Sequence, residues 1–384
     1  MPTYLDHNAT TPTDPRVLEA MLPYLSGPYA NPSSLHRYGR AARDAVEQAR
    51  AQVAALAGAD AGQVVFTSGG TEANNLAVHG VASGAPRGRL LYSAIEHPCI
   101  DEPMRALADA GWPVETIAVD RDARIDIDAY GRQLSEAPVR LVSCMVANNE
   151  TGTVQDTARL AGMAQEAGVV FHADAVQAAG KLALSFQQWG LQLMTLSAHK
   201  IFGPKGAGAL VVDRGLDLVP QLRGGGQERG LRAGTENVAG IVGFGEAAAL
   251  AVAELETRRA RWLALRTRLE DALGGLPGVR PLAVNAPRTP NTLQFTVPGI
   301  HSATLLGLLD QKGYAVSSGS ACASGSDEAS PVLLAMGLSN DEALCAIRVS
   351  LGLGNTEQEI DGFVATLKQL LASMGLAMPA VVGA

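Results

Sequence analysis

The sequence predicts an α/β protein, in which a large domain with a mostly parallel seven-stranded sheet flanked by helices is followed by a smaller α+β domain. Three observations carry this. Between about residues 34 and 255, short β-branched runs alternate with stretches of helical period, as in a parallel sheet covered on both faces. Beyond about residue 274 the rhythm changes to short strands followed by helices. The 384 residues are 47% hydrophobic and 18% charged, enough apolar content for more than one core and too little charge for disorder or a coiled coil.

Taken in order, residues 1–14 form a joining segment that carries Asp6, His7 and Asn8 where an export signal needs an apolar run. Strands are expected at 64–67, 89–93, 114–119, 140–147, 169–173, 193–197 and 209–212, each a short run rich in β-branched or apolar residues. Helices are expected at 34–56, 72–81, 98–110 and 156–167, with a long Ala-rich one near 237–273. A Gly-rich stretch at 223–230 interrupts this rhythm. The large domain is placed at 15–254 and the small one at 255–384, with the boundary inside the long helix. Within the small domain, 292–296 reads as a strand and 303–311 and 341–348 as helices.

Acids exceed bases by 38 to 30, and no basic tail occurs, so nucleic acid is not the main partner. The apolar stretches 239–255 and 370–384 are interrupted by Glu246 and Pro379 and fall short of the ~20 residues of a spanning helix. A cytoplasmic protein without a membrane anchor is expected. Cys99, Cys144, Cys322 and Cys345 are widely spaced, which fits neither a disulfide framework nor a metal site. Cys144, in an apolar run, and Cys345, on an expected helix, read as buried apolar filler.

Three features carry chemistry. Lys200, in Ser197-Ala-His-Lys200, follows a strand end, where a doubly wound sheet opens its ligand crevice. It is either a Schiff-base lysine or a solvated surface residue. Asp174, at the end of the strand at 169–173, points into the same crevice, as partner for a protonated ring nitrogen or as a helix cap. Gln177 lies three residues on. The turn at 67–75, Thr-Ser-Gly-Gly-Thr-Glu-Ala-Asn-Asn, offers free N–H groups at a helix start, with Gly70 and Thr71 placed to hold a phosphate. An ordinary capped turn has the same look.

A phosphate cradle, an acid for a ring nitrogen and a lysine, all at strand ends of one sheet, together describe a pyridoxal phosphate site. The stretches Tyr-Leu-Asp-His-Asn-Ala-Thr-Thr-Pro (4–12), Ser-Gly-Gly-Thr-Glu-Ala-Asn-Asn (68–75), Asn-Asn-Glu-Thr-Gly (148–152), Asp-Ala-Val-Gln (174–177), Ser-Ala-His-Lys (197–200), Gly-Gly-Gly-Gln-Glu-Arg-Gly-Leu-Arg-Ala-Gly-Thr-Glu-Asn (224–237) and Ser-Gly-Ser-Ala-Cys (318–322) resemble the cysteine desulfurase family. They occur in the family's order, and the last is similar to the NifS/IscS-like group.

The resemblance implies an aspartate-aminotransferase-like fold and pyridoxal 5'-phosphate bound to Lys200, which takes and returns protons. By the same resemblance Asp174 holds the pyridinium nitrogen, Gln177 and Asn149 lie around the ring hydroxyl, and His97 stacks on the ring. Phosphate contacts are implied for Gly70, Thr71, Ser197 and His199, and for Thr235 reaching in from a partner subunit, hence a homodimer. Arg348 is implied to bind the substrate carboxylate, with Asn149 nearby and Asn31 lining the substrate side. Cys322, on a small-residue loop expected to be poorly ordered without a partner, is implied to take sulfur from L-cysteine as a persulfide and pass it to an acceptor such as an iron–sulfur scaffold. Cys99, two residues after His97, is left undecided. A selenocysteine lyase or aminotransferase of the same fold, and a silent cofactor-holding scaffold, stay open as rivals.

Overall fold

The structure, a computed structural model, describes residues 2–27, 29–84, 86–319 and 328–375. Strand β1 (Thr3–Tyr4) and helix α1 (Pro15–Ser26), the latter capped by Asp14, lead into helix α2 (Arg37–Ala57). There follow β2 (Val64–Thr67), α3 (Gly70–Gly84), β3 (Arg89–Ser93), α4 (Pro98–Asp109), β4 (Val114–Ile117), α5 (Ile127–Glu136), β5 (Val139–Met145), α6 (Thr157–Glu166), β6 (Val170–Asp174), β7 (Leu193–Ser197) and β8 (Gly208–Val212). Helices α7 (Val238–Ala253) and α8 (Leu255–Gly274) precede β9 (Arg280–Pro281), β10 (Thr292–Thr296), α9 (Ser302–Gln311) and β11 (Tyr314–Ala315). The last elements are α10 (Pro331–Ala335), α11 (Asn340–Ala343), β12 (Ala346–Ser350) and α12 (Glu357–Ser373).

The large sheet has the order β2-β8-β7-β6-β5-β3-β4. Only β8 runs against its neighbours, pairing antiparallel with both β2 and β7. The carboxyl ends of β2, β7, β6, β5 and β3 therefore lie along one edge of the sheet. Alternation divides each strand between two cores: Val64 and Phe66 pack with Met194, Leu196 and Ala209 on one face, whereas Val65 packs with Leu193, Leu210 and Val212 on the other. A separate core forms where β10 and β12 pack Leu293, Phe295, Ile347 and Val349 against α8, α9 and α12. Leu5 and Phe202 belong to that core too, which ties the amino-terminal segment and the chain beyond Lys200 to the smaller sheet.

Two expectations are corrected. The long helix near 237–273 is two helices, bent by 73° at Glu254, whose carboxylate is held by Arg16 and Arg258. Residues 341–348 are not a helix. A capping box at Ser339 and Glu342 starts a single turn, after which Ala346–Ser350 pairs antiparallel with β10, because alternating Ile347 and Val349 bury better in a sheet than on a helix face. Cys345 consequently sits in the turn between them, buried, and Cys144 is buried on β5. No single described helix is long and apolar enough to cross a membrane.

The Gly-rich stretch is pinned by a buried ion pair. Glu228 and Arg229 both adopt left-handed backbone, at φ 48 and 58, a conformation that costs on the order of 1–3 kcal/mol at a non-glycine residue. Arg50 holds the Glu228 carboxylate with both terminal nitrogens, at 2.7 and 2.8 Å, and the Phe66 N–H donates to the same carboxylate at 2.8 Å. Replacing Arg50 by Met strands that carboxylate in the interior and is expected to cost about 3–5 kcal/mol in urea unfolding. Adding Glu228→Gln to Arg50→Met should recover part of the loss; a second, equal loss would show that the pair is not the source.

Candidate active site

The site is assembled at the common edge of the large sheet. Helix α3 starts immediately after β2, and Glu72 in its first turn accepts the Ser68 N–H at 2.9 Å, shaping the turn from within. A Cβ at Gly70 would lie 3.1 Å from Val176 Cγ2 and 3.6 Å from Ser197 Cβ, so the helix start packs closely against both side chains. Ser197, at the end of β7, is buried and its Oγ has no partner among the described residues. A stranded hydroxyl beside the amino end of a fifteen-residue helix, whose first N–H groups and dipole face outward, is a seat for an anion. Thr71 is the second residue of that helix. Thr235 is exposed and lines a cavity of about 220 Å³ with Thr67, Ser68 and Arg232.

Asp174 ends β6 and is buried. Its carboxylate accepts from Asn74 Nδ2 at 2.7 Å and from the Val176 N–H at 2.9 Å. Asn74 Nδ2 also reaches Cys99 Sγ, at 2.9 Å. His97 caps α4, its Nδ1 accepting from the Cys99 N–H at 3.1 Å with Cys99 Sγ 2.9 Å away. An accepting Nδ1 leaves the proton of the neutral ring on Nε2. Burial lowers the His97 pKa, Asp174 opposes this and Lys200 adds to it, so the three groups act on one another at short range. Burial and the Asp174 charge also hold the Cys99 thiol and the Glu96 carboxyl well above their usual pKa ranges. Cys99 is thereby kept as a thiol. Glu96 accepts the Met145 N–H at 2.6 Å through one oxygen, while its other is buried without a partner among the described residues.

Lys200 closes the short turn after β7, and its Nζ donates to the carbonyls of Asn8, at 2.5 Å, and Ala9, at 2.8 Å. Asn8 is buried and central: its carbonyl also accepts from Gln177 Nε2 at 3.0 Å, and its Nδ2 donates to the Asn149 carbonyl at 3.0 Å and to Thr292 Oγ1 at 2.8 Å. Lys181 Nζ donates to Gln177 Oε1 at 2.6 Å and to Asn8 Oδ1 at 3.1 Å. His199 contacts Thr10 Oγ1 through Nδ1 at 3.1 Å, and burial with the nearby Lys200 and Lys205 charges lowers its pKa to about 4.

Arg348 on β12 is 1% exposed. Its guanidinium pairs with Asp6 at 2.6 Å and donates to the carbonyls of Asn149, at 3.2 Å, and Gly319. Its Nε is buried without a partner among the described residues. The structure thus brings Lys200, Asp174, Gln177, His97, Asn149, Arg348, Ser197, Gly70 and His199 into one continuous set of neighbours. Asn31 caps its own turn, accepting the Ser33 N–H at 2.9 Å. Cys322 lies outside the described residues, as does the expected disorder of its loop. Sequence reasoning passed over Asn8, Asn74, Glu96 and Lys181 as site residues; Asn8 and Asn74 stood inside quoted motifs, and Lys181 stood four residues after Gln177.

The aminotransferase class-V family model matches residues 3–363. A cysteine desulfurase from Trichormus azollae is 42% identical over 380 residues, 98% of this chain and 94% of its own length. A cysteine desulfurase IscS from an Anaeromyxobacter species is 46% identical over 372 residues, 95% of this chain and 91% of its own. Among solved structures, a NifS-like protein superposes with a TM-score of 0.91 at 36% identity, covering 97% of this chain and 100% of that one.

Because Ser197 Oγ lacks a partner, Ser197→Ala should leave the stability of the ligand-free chain unchanged or slightly higher, yet weaken binding of a phosphate-bearing ligand by roughly tenfold or more. Thermal melts and equilibrium dialysis of the variant check the two signs separately. Burial holds the pKa of both His7 and His172 down to about 4, with Lys181 adding to the effect at His7. Unfolded histidines take up protons below ~6.5 while these do not, so stability should fall as pH drops from about 6.5 toward 4, by up to about 1.4 kcal/mol per pH unit for each. Urea midpoints compared at about pH 7 and about pH 5 read this slope.

Proposed function

The chain belongs to the aminotransferase class-V family and is a cysteine desulfurase of the NifS/IscS-like group; from this premise we propose that its strand-end site holds pyridoxal 5'-phosphate and converts L-cysteine to L-alanine, with Cys322 keeping the sulfur as a persulfide. The observation that carries this reading is the meeting at one sheet edge of an anion seat with an unpartnered hydroxyl, a buried carboxylate and a lysine. These match the phosphate, the ring nitrogen and the aldehyde of the cofactor. Gly70, Thr71, Ser197 and His199 would hold the phosphate, with Thr235 contributed across a homodimer. Asp174 would hold the ring nitrogen, Gln177 and Asn149 the ring hydroxyl, and His97 the ring face.

When bound, the cofactor supplies an electron sink for the bonds at the substrate's Cα and Cβ. The chain does the rest. Arg348 receives the substrate carboxylate, its unpartnered Nε being a donor already desolvated for that purpose. Asp174, kept in place by Asn74 and the Val176 N–H, stabilises positive charge on the ring nitrogen. Lys200 takes the α-proton and returns it on the way to alanine. The Cys322 thiolate attacks the substrate sulfur: the carbon–sulfur bond breaks, the sulfur–sulfur bond forms, and the carbon left behind takes a proton. The balance is L-cysteine plus a thiol giving L-alanine plus a persulfide, with no external oxidant.

The persulfide then passes to an acceptor, such as an iron–sulfur scaffold protein or a thio-cofactor or tRNA thiolation enzyme, in the cytoplasm. The same reading divides the chain at the bend before α8, with residues 15–254 holding the cofactor.

Purified protein supplied with L-cysteine and a reductant should release alanine and sulfide in equal amounts, well beyond one turnover. Lys200→Ala should lose the visible absorbance of the bound cofactor and the activity together. Cys322→Ser should keep the absorbance and lose multiple-turnover release; full activity in that variant would favour a selenocysteine-lyase type of chemistry. No alanine from a coloured wild-type protein would overturn the substrate assignment.

A further inference from the structure

The reaction above leaves Lys181 unused. It is 4% exposed, and its ammonium lies among basic groups: Lys200 and Arg348 act on it, and it acts on His7. Burial, with the first two charges, holds its pKa well below the usual lysine range. A buried lysine is expensive, because desolvating an ammonium costs several kcal/mol that a Met or Leu in its place would not. What it does in return is visible in its hydrogen bonds.

Its Nζ donates to two side-chain amides, at Gln177 Oε1 and Asn8 Oδ1. Charged or neutral, a lysine nitrogen has at least two N–H donors, and here they meet the oxygens of both amides; at Asn8 the same Oδ1 also accepts from Asn291 Nδ2 at 3.2 Å. Gln177 is thereby left with its NH2, of which one hydrogen goes to the Asn8 carbonyl and the other is unspent. Asn8 is likewise left with its NH2 for the Asn149 carbonyl and Thr292 Oγ1. The backbone carbonyl of the same Asn8 carries Lys200 Nζ. Lys181 is thus joined to Lys200 through Asn8, whose side chain accepts from one and whose backbone carbonyl accepts from the other.

We propose that Lys181 is a positioning residue: by holding the Gln177 amide oxygen it fixes Gln177 as a hydrogen-bond donor toward the bound cofactor, and together with Asn291 it anchors the Asn8 side chain beside it. This rests on the cofactor reading above. It separates Lys181 from a packing residue, since a packing residue would affect stability without changing the electronic state of the cofactor.

The test is a cycle of Lys181→Met, Gln177→Ala and their combination, each loaded with pyridoxal phosphate. The readouts are the wavelength and pH midpoint of the visible band, kcat and KM for L-cysteine, and melting of the cofactor-free chain. Lys181→Met should shift the pH midpoint and lower kcat about tenfold, the worth of about one buried hydrogen bond, with KM changed less than about twofold. Made in the Gln177→Ala background, it should move the midpoint no further. An unshifted band in Lys181→Met, or full additivity of the two changes, overturns the proposal. Should Lys181→Met fail to fold, Lys181→Gln is judged by the same criteria. A colourless wild-type protein overturns the cofactor reading and this one together, whereas a coloured wild type with an unaltered Lys181 variant overturns this one alone.

Discussion

One buried asparagine near the amino terminus fixes the rest of the site. Asn8 donates its N–H to Ser350 Oγ on β12 at 2.9 Å and its Nδ2 to Thr292 Oγ1 on β10 at 2.8 Å, so it is fastened to the smaller sheet. It also receives Gln177 and Lys200, which follow β6 and β7, and is thereby fastened to the large sheet. Each bond is worth only about 0.5–1.5 kcal/mol net, but any one left unmade in this dry setting would cost about 1–3 kcal/mol, so the group holds as a unit. Its consequence is a fixed relation between Arg348, carried by one sheet, and Lys200, carried by the other. Gly352 belongs to the same constraint: the His7 ring lies where its Cβ would be, so the segment around Asn8 can settle onto β12 only over a glycine.

The polar groups around that asparagine divide by what they lack. Ser197 Oγ and Arg348 Nε are buried donors with no partner among the described residues, and they come from β7 and β12, one beside a helix amino end and one beside Asp6. Arg258, Trp262, Arg266 and Arg288 carry such donors too, so it is the place of Ser197 and Arg348 at the strand-end crevice, rather than the missing partner alone, that suits them to a ligand's acceptors. Asp174 shows the opposite case, with its oxygens met by Asn74 and the Val176 N–H, while burial and the Asp174 charge raise the pKa of Glu96 well above the usual carboxylate range.

The large sheet was legible because fully buried strands read as continuous apolar runs, and Val64–Thr67, Arg89–Ser93 and Leu193–Ser197 coincide with the runs seen in the sequence. Strand ends in such a sheet open onto ligand crevices, which makes Lys200 and Asp174 candidates by position alone. The run at 341–348 was misread because Glu-Ala-Leu-Cys-Ala has helical composition, and only pairing with β10 shows Ile347 and Val349 to be strand residues. The bend at Glu254 left no sign, since no Pro or Gly marks it and the Arg16 that pairs with Glu254 there is distant in sequence. Lys181 was invisible for a related reason. A lysine is read as a surface residue unless its partners are known, and one of them, Asn8, stands 173 positions away.

Arg348 and Lys181 are linked by charge as well as by Asn8. With its guanidinium paired to Asp6, Arg348 is electrically balanced before any substrate arrives. Its guanidinium also donates to the Asn149 carbonyl, which accepts from Asn8 Nδ2 as well, while Asn8 Oδ1 accepts from Lys181 Nζ. Lys181 in turn donates to Gln177 Oε1, so the network that orients Arg348 is continuous with the one that orients Gln177, and a shift in any one of these groups is felt by the others.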